Sequence, residues 1–122
     1  MSDQTRREKG LAAFERVMTF APPEMQDNPF LDTTIDHLFA DVWARPGLGI
    51  RERRLITLTT LICLGHEGNL KLHLRAAVGS GDLTDAEIDE LILHAAHYAG
   101  WPAASVAVQV IGQLRAERKR DA

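Results

Sequence analysis

Residues 43–104 read WARPGLGIRERRLITLTTLICLGHEGNLKLHLRAAVGSGDLTDAEIDELILHAAHYAGWPAA, and this stretch decides the fold. Apolar residues recur three and four apart along it, while the strict alternation of a half-buried strand is nearly absent. The segment 50–65 predicts a helix whose Leu55, Ile56, Leu58, Leu61, Ile62, Cys63 and Leu64 surround most of the axis. A helix apolar nearly all round requires cover nearly all round. It is therefore expected to be the most buried element, with part of its cover supplied by a second subunit. Cys63, the only cysteine, excludes an intrachain disulfide or a CxxC pair and reads as a small buried hydrophobe.

Working downstream, a helix is expected over 68–78, stopping at the Gly79–Gly81 pair. Thr84 with Glu87 three residues on forms a capping box that opens the next helix, which ends at Gly100. Pro102 then sits near the start of a last helix reaching about Arg118. Upstream, the spacing predicts helices over 5–18 (Leu11, Phe14 and Met18 on one side) and 31–43 (Ile35, Leu38, Phe39 and Val42). Pro22, Pro23 and Pro29 make the segment 21–30 an irregular connector, and Pro46 with Gly47 reverses the chain before Ile50. The expected architecture is all-α, five to six short helices in one domain over residues 1–122.

A length of 122 residues with 45% hydrophobic and 25% charged side chains is ordinary for one globular domain. A formal net charge of -3 argues against a general nucleic-acid partner. The basic tail RAERKRDA reads as a solvated helix end. The polar start has no apolar signal region, and no apolar run approaches the roughly 20 residues that span a bilayer. A reduced, cytoplasmic, soluble protein without a membrane partner is expected.

Three groups of side chains could carry chemistry. His73 lies on the apolar stripe of Leu70, Leu74 and Ala77, where it is either a core histidine or a proton donor and acceptor working near neutral pH. Arg45, Arg51, Arg53 and Arg54 crowd a turn and helix start, where cations are unfavourable. Planar guanidinium forks there suit an anion with more than one carboxylate; the competing reading is a salt-bridged surface with Glu52 and Asp41. His94 and Tyr98 share a flank of the helix face made by Ile88, Leu91, Ala95 and Ala99. His97 has no obvious third ligand, so no metal is expected. His66 and Glu67 read as helix-end residues with a capping role, and Asp41 beside Trp43 as a carboxylate at the edge of a site or on the surface.

Taken in order, WARPGL, Arg51 and Arg53, LITLTTLICLG, LKLHLRAAV, LTDAEIDELILHAAHYAG and PAA resemble the carboxymuconolactone decarboxylase family over about residues 30–108. The resemblance implies an AhpD-like all-α helical bundle that assembles as a homo-oligomer, trimer or hexamer. It also implies cofactor-free decarboxylation of 4-carboxymuconolactone, a small anionic lactone, to the beta-ketoadipate enol-lactone in protocatechuate catabolism. On this basis His73 matches the family's histidine, Arg53 an arginine, Arg51 a basic position, and Tyr98 and His94 positions on the later helix. His73, Arg51 and Asp41 are then the catalytic candidates; Arg53, Arg45, Trp43, His94 and Tyr98 are the substrate-binding ones. AhpD relatives need a CxxC pair that falls here on His66 and Asn69, which excludes thiol peroxidase chemistry. Asp41, His66 and Trp101 stand where the decarboxylases tend to carry glutamate, arginine and a small apolar residue. Isomerisation or lactone opening on an anionic ring compound, and a non-catalytic oligomeric binding protein of the same fold, stay open.

Overall fold

The computed structural model describes residues 3–24 and 26–121, with only the backbone of Asp3 and Gln4. All regular structure among them is helical: α1 (Asp3–Met18), α2 (Pro29–Thr33) running on as a π-helix (Thr34–Trp43), α3 (Ile50–Leu64), α4 (Glu67–Gly79), α5 (Asp85–Ala99) and α6 (Trp101–Asp121). Two compact units divide the chain, one running to Arg53 and the other beginning at Arg54.

In the first unit, Pro29 opens a helix instead of closing the connector. Asn28 is its N-cap and accepts the Leu31 N–H at 3.1 Å, and proline at the first helical position gives up an N–H that has no partner there anyway. From Thr34 the helix widens to i→i+5 bonding. The wider turn aligns Ile35, Phe39, Ala40 and Trp43 in the core, and leaves Leu38, which a 3.6-residue wheel places inside, on the exposed side. On α1 the buried face is Phe14, Val17 and Met18; Leu11, expected there, is exposed. Phe14 packs edge-on against Phe39 at 4.9 Å, and Phe39 stacks on Trp43 at 6.2 Å. Gly10 makes the close approach of α1 to the π-helix possible, since a Cβ there would fall 2.1 Å from the Ile35 carbonyl oxygen.

The second unit is built on a core of Leu58 and Ile62 from α3, Leu70, Leu74 and Ala77 from α4, Ile88, Ile92 and Ala96 from α5, and Ala104, Ala107, Val110, Ile111 and Leu114 from α6, joined by Leu83. Each fully buried leucine contributes about 1.5–3 kcal/mol to such a core. Helix α3 ends in a Schellman motif: Gly65 takes φ 72°, its N–H donates to the Ile62 carbonyl at 3.3 Å and that of His66 to the Leu61 carbonyl at 3.1 Å. His66 thus occupies the helix boundary through its backbone; its side chain makes no capping bond, contrary to the capping role expected of it. The Thr84–Glu87 capping box forms as expected, with Thr84 Oγ1 accepting the Glu87 N–H at 3.1 Å and Glu87 Oε1 accepting the Thr84 N–H at 3.0 Å. Arg115 and Arg118 of α6 bind Asp85 on the first turn of α5, each at 2.9 Å, and hold its carboxyl below the usual carboxylate range, Arg118 most strongly.

Helix α3 is not the most buried element. It buries only Arg54, Leu58 and Ile62, whereas α4, α5 and α6 each bury four residues or more. Ile56 is 56% and Leu64 63% exposed, and Cys63, expected inside, is also exposed. Apolar side chains stand on most sides of α3, but this chain covers only the side that carries Leu58 and Ile62. Among the described residues no helix is long and apolar enough to cross a membrane.

Candidate functional site

A buried ion pair is the electrostatic centre of the second unit. Arg54 precedes Leu58 and Ile62 by one and two turns on the buried stripe of α3 and is only 1% exposed. Its Nε donates to Asp82 Oδ2 at 2.8 Å. A guanidinium removed from water is tolerable only with such a partner, because desolvation otherwise costs several kcal/mol. The loop that delivers Asp82 is shaped by its own sequence. Gly81 adopts φ 79°, the Ser80 N–H returns to the Ala76 carbonyl at 3.0 Å, and the Leu83 N–H returns to the Ala77 carbonyl at 3.2 Å. The Asp82 N–H also donates to Ser80 Oγ at 3.3 Å.

His73 lies on α4 between the buried Leu70 and Leu74 and is half-buried, with its Nδ1 shielded from solvent. Burial first, and then the positive charge of Arg54, push its pKa below the ordinary histidine value. The imidazole is accordingly neutral at pH 7, with one ring nitrogen able to donate and the other to accept.

The remaining predicted residues fall into separate surroundings. In the first unit, Arg53 is half-buried and its guanidinium ties down the turn ahead of α3, donating to the carbonyls of Leu48 and Arg45 at 3.3 Å each. Arg45 itself is exposed, and Arg51 is exposed with Glu52 at 4.0 Å. Asp41 accepts from His37 Nδ1 at 3.3 Å, one turn away on the same π-helix. Trp43 is buried in the aromatic stack. In the second unit, His94 and the 84%-exposed Tyr98 stack at 5.4 Å on the outer side of α5. His97 donates to the Leu93 carbonyl at 2.8 Å and meets Trp101 edge-on at 5.8 Å. Among the described residues no group of three or more His, Cys, Asp or Glu side chains is arranged to hold a metal ion.

Sequence reasoning placed Arg54 with the exposed arginines and passed over Asp82. A signal for the first was present, since Arg54, Leu58 and Ile62 follow one another four apart on the buried stripe. Asp82 carried none, because its position depends on how the loop folds back onto α4.

The profile of the carboxymuconolactone decarboxylase family matches residues 28–113, and the chain belongs to that family. It is 44% identical over 76 residues to a 4-carboxymuconolactone decarboxylase of Acinetobacter baylyi, covering 62% of this chain and 56% of that protein. It is 46% identical over 61 residues to a nitrosuccinic acid decarboxylase of Metarhizium robertsii, covering 50% of this chain and 42% of that one. The chain thus spans about half the length of the curated relatives it matches.

Proposed function

We propose that this chain is a decarboxylase of small dicarboxylates whose departing carboxylate leaves its electrons on a conjugated acceptor, with 4-carboxymuconolactone as the first candidate substrate. The names of the two relatives support this class. The two substrates in those names are dicarboxylates. Loss of carbon dioxide from carboxymuconolactone generates a dienolate, and loss from nitrosuccinate a nitronate, each a delocalised oxyanion. In each, the bond from carbon to the carboxylate breaks and its electron pair moves through the conjugated system onto the acceptor oxygen; a solvent-derived proton then adds to the α-carbon of the lactone, leaving the ring double bond at the former carboxyl-bearing carbon, or, in nitrosuccinate, to the carbon that bears the nitro group. No external oxidant or reductant is required.

His73, half-buried and neutral, carries the proposal. A neutral imidazole cannot supply a proton as an imidazolium would, but it can donate a ring N–H to the developing oxyanion, where a preorganised donor is worth most. Arg51 and Arg53 are the proposed ligands for substrate carboxylates, with Arg45, His94, Tyr98, Asp41 and Trp43 in supporting roles. The enzyme is proposed to work as a homo-oligomer, because the outer side of α3 leaves Ile56, Cys63 and Leu64 in water.

The test supplies 4-carboxymuconolactone and nitrosuccinate separately in deuterated water and follows carbon dioxide release and the product by NMR. Enol-lactone with deuterium on the carbon next to its lactone carbonyl is the expected outcome from 4-carboxymuconolactone. A new product without carbon dioxide points to isomerisation or lactone opening, and binding without turnover points to the non-catalytic reading.

A further inference from the structure

We propose that the outer ridge of α3 docks into the groove between α5 and α6 of a second copy of this chain, head to tail, so that every copy gives a ridge and receives one. The inference rests on the proposed homo-oligomer and gives it a geometry; it does not depend on the reaction.

Two uncovered apolar surfaces of the second unit lead to it. Ile56, Thr60 and Leu64 are all exposed and follow one another four apart, the spacing that builds a single ridge on a helix. Between α5 and α6 runs a groove of about 650 Å³. Ala96, Ala104 and Gly112 line it and leave room for an incoming side chain; a Cβ on Gly112 would meet nothing within 4 Å. Leu93, Trp101 and Val108 line it too, each more than half exposed. The charged groups at its end are engaged with one another, since Arg115 binds Asp85 at 2.9 Å and Asp89 at 3.0 Å. What remains is an open apolar trough, the form that receives the apolar face of a helix.

Length and charge match the two surfaces and set their direction. From Glu52 to Leu64 the ridge rises about 18 Å, and from Trp101 to Arg115 the groove runs about 21 Å. The first turn of α3 carries Arg51 and Glu52, 4.0 Å apart and about half exposed. One end of the groove carries Arg115 and Asp89, the latter 61% exposed. With α3 antiparallel to the partner's α6, each pair meets the opposite charges of the other. That register brings Cys63 level with Ser105 and Leu64 towards Trp101 of the next copy. Ridge and groove lie on different elements, so pairing α3 with α3 would leave every groove open. Head-to-tail docking covers both, and such a series closes into a ring where the rotation permits.

Two substitutions at exposed positions break opposite sides of this contact. Leu64→Asp charges the ridge and leaves the groove, whereas Val108→Asp charges the groove and leaves the ridge. Light scattering on a size-exclusion column reads the mass of the full chain, with circular dichroism as the check on folding. The parent should be an oligomer and each variant alone a single chain. Their equimolar mixture should give a species of two chains and nothing larger, because one intact ridge meets one intact groove and the series stops there. Either variant keeping the parent's mass, or a mixture left at the single-chain mass, overturns the inference. Should a variant fail to fold, Ser105→Cys replaces it. Diamide should then link Cys63 of one copy to the new thiol of the next, giving a ladder of joined chains that Ser105→Cys/Cys63→Ser does not form. No ladder, or parent chains joined through Cys63 alone, overturns the inference equally. A parent that is itself a single chain removes the homo-oligomer and this interface together; an oligomeric parent whose variants fail to complement removes only the interface.

Discussion

Arg7 in the first unit and Arg54 in the second each bind carboxylates from another segment of their own unit, yet the two arrangements do different work. Arg7 is the better connected. Its Nε and Nη2 grip both oxygens of Asp36 at 2.5 and 2.8 Å, and Nη2 also reaches Asp32 at 3.0 Å. The hydrogen bond from Arg7 holds the Asp36 carboxyl below its usual range, and the same contact raises the arginine above its own. The Arg7 side chain is nevertheless 41% exposed, so water and salt screen the attraction. Arg54 has the 2.8 Å bond to Asp82 and is only 1% exposed. Burial, more than the number of hydrogen bonds, decides how much the protein depends on a pair.

The contrast is sharpest when one partner is removed. Asp82→Ala strands a buried guanidinium and should cost about 3–5 kcal/mol in denaturant unfolding. A loss below about 1 kcal/mol would mean that water reaches Arg54 and would erase the distinction. The first unit should be more sensitive to shape than to charge. Gly10→Ala sets a Cβ against the Ile35 backbone, which cannot rotate away, and should cost about 1–3 kcal/mol by the same assay.

Acidification separates the units by pH window. His73 has a lowered pKa in the folded state, so the unfolded chain binds its proton more readily. Its contribution is fully present above about pH 6.5 and is lost as pH falls from there towards the folded value. Asp36 is likewise depressed, but its contribution is present above about pH 3.9 and is lost only as pH falls further, through its folded value. A stability profile measured from pH 7 to pH 5 should therefore decline, and His73→Asn should flatten it while leaving the more acidic limb in place. The smallest effect is expected from Asp36→Ala, about 0–1 kcal/mol, shrinking further in high salt.

Periodicity and punctuation made most of the helices legible. Thr84 with Glu87, Gly65 and Gly100 each mark boundaries that local backbone chemistry enforces, and the structure places helix ends beside them. Three features were hidden because they depend on more than local pattern. The π-helix at Thr34–Trp43 changes which residues share a face, so a 3.6-residue wheel turns Leu38 inward wrongly. Cys63 and Ile56 look like core residues because the pattern of α3 does not say which side its own chain will cover. Asp82 became visible only once the Gly79–Leu83 loop had returned to α4. Of the candidate site, the half-buried placement of His73 was legible from its stripe, whereas the burial of Arg54 was missed because the sequence groups it with the neighbouring arginines.

The most direct measurement is the turnover of 4-carboxymuconolactone by His73→Asn at pH 7, counted as carbon dioxide released per folded chain. Asparagine keeps a polar side chain of similar reach but cannot titrate, and Arg54 and Asp82 are left intact. Loss of the working imidazole should lower kcat by roughly 10²–10⁴ with a smaller change in KM, while circular dichroism and oligomer size stay as in the parent. Turnover within a few-fold of the parent by a correctly folded His73→Asn protein would contradict the assignment and leave the histidine as a core residue.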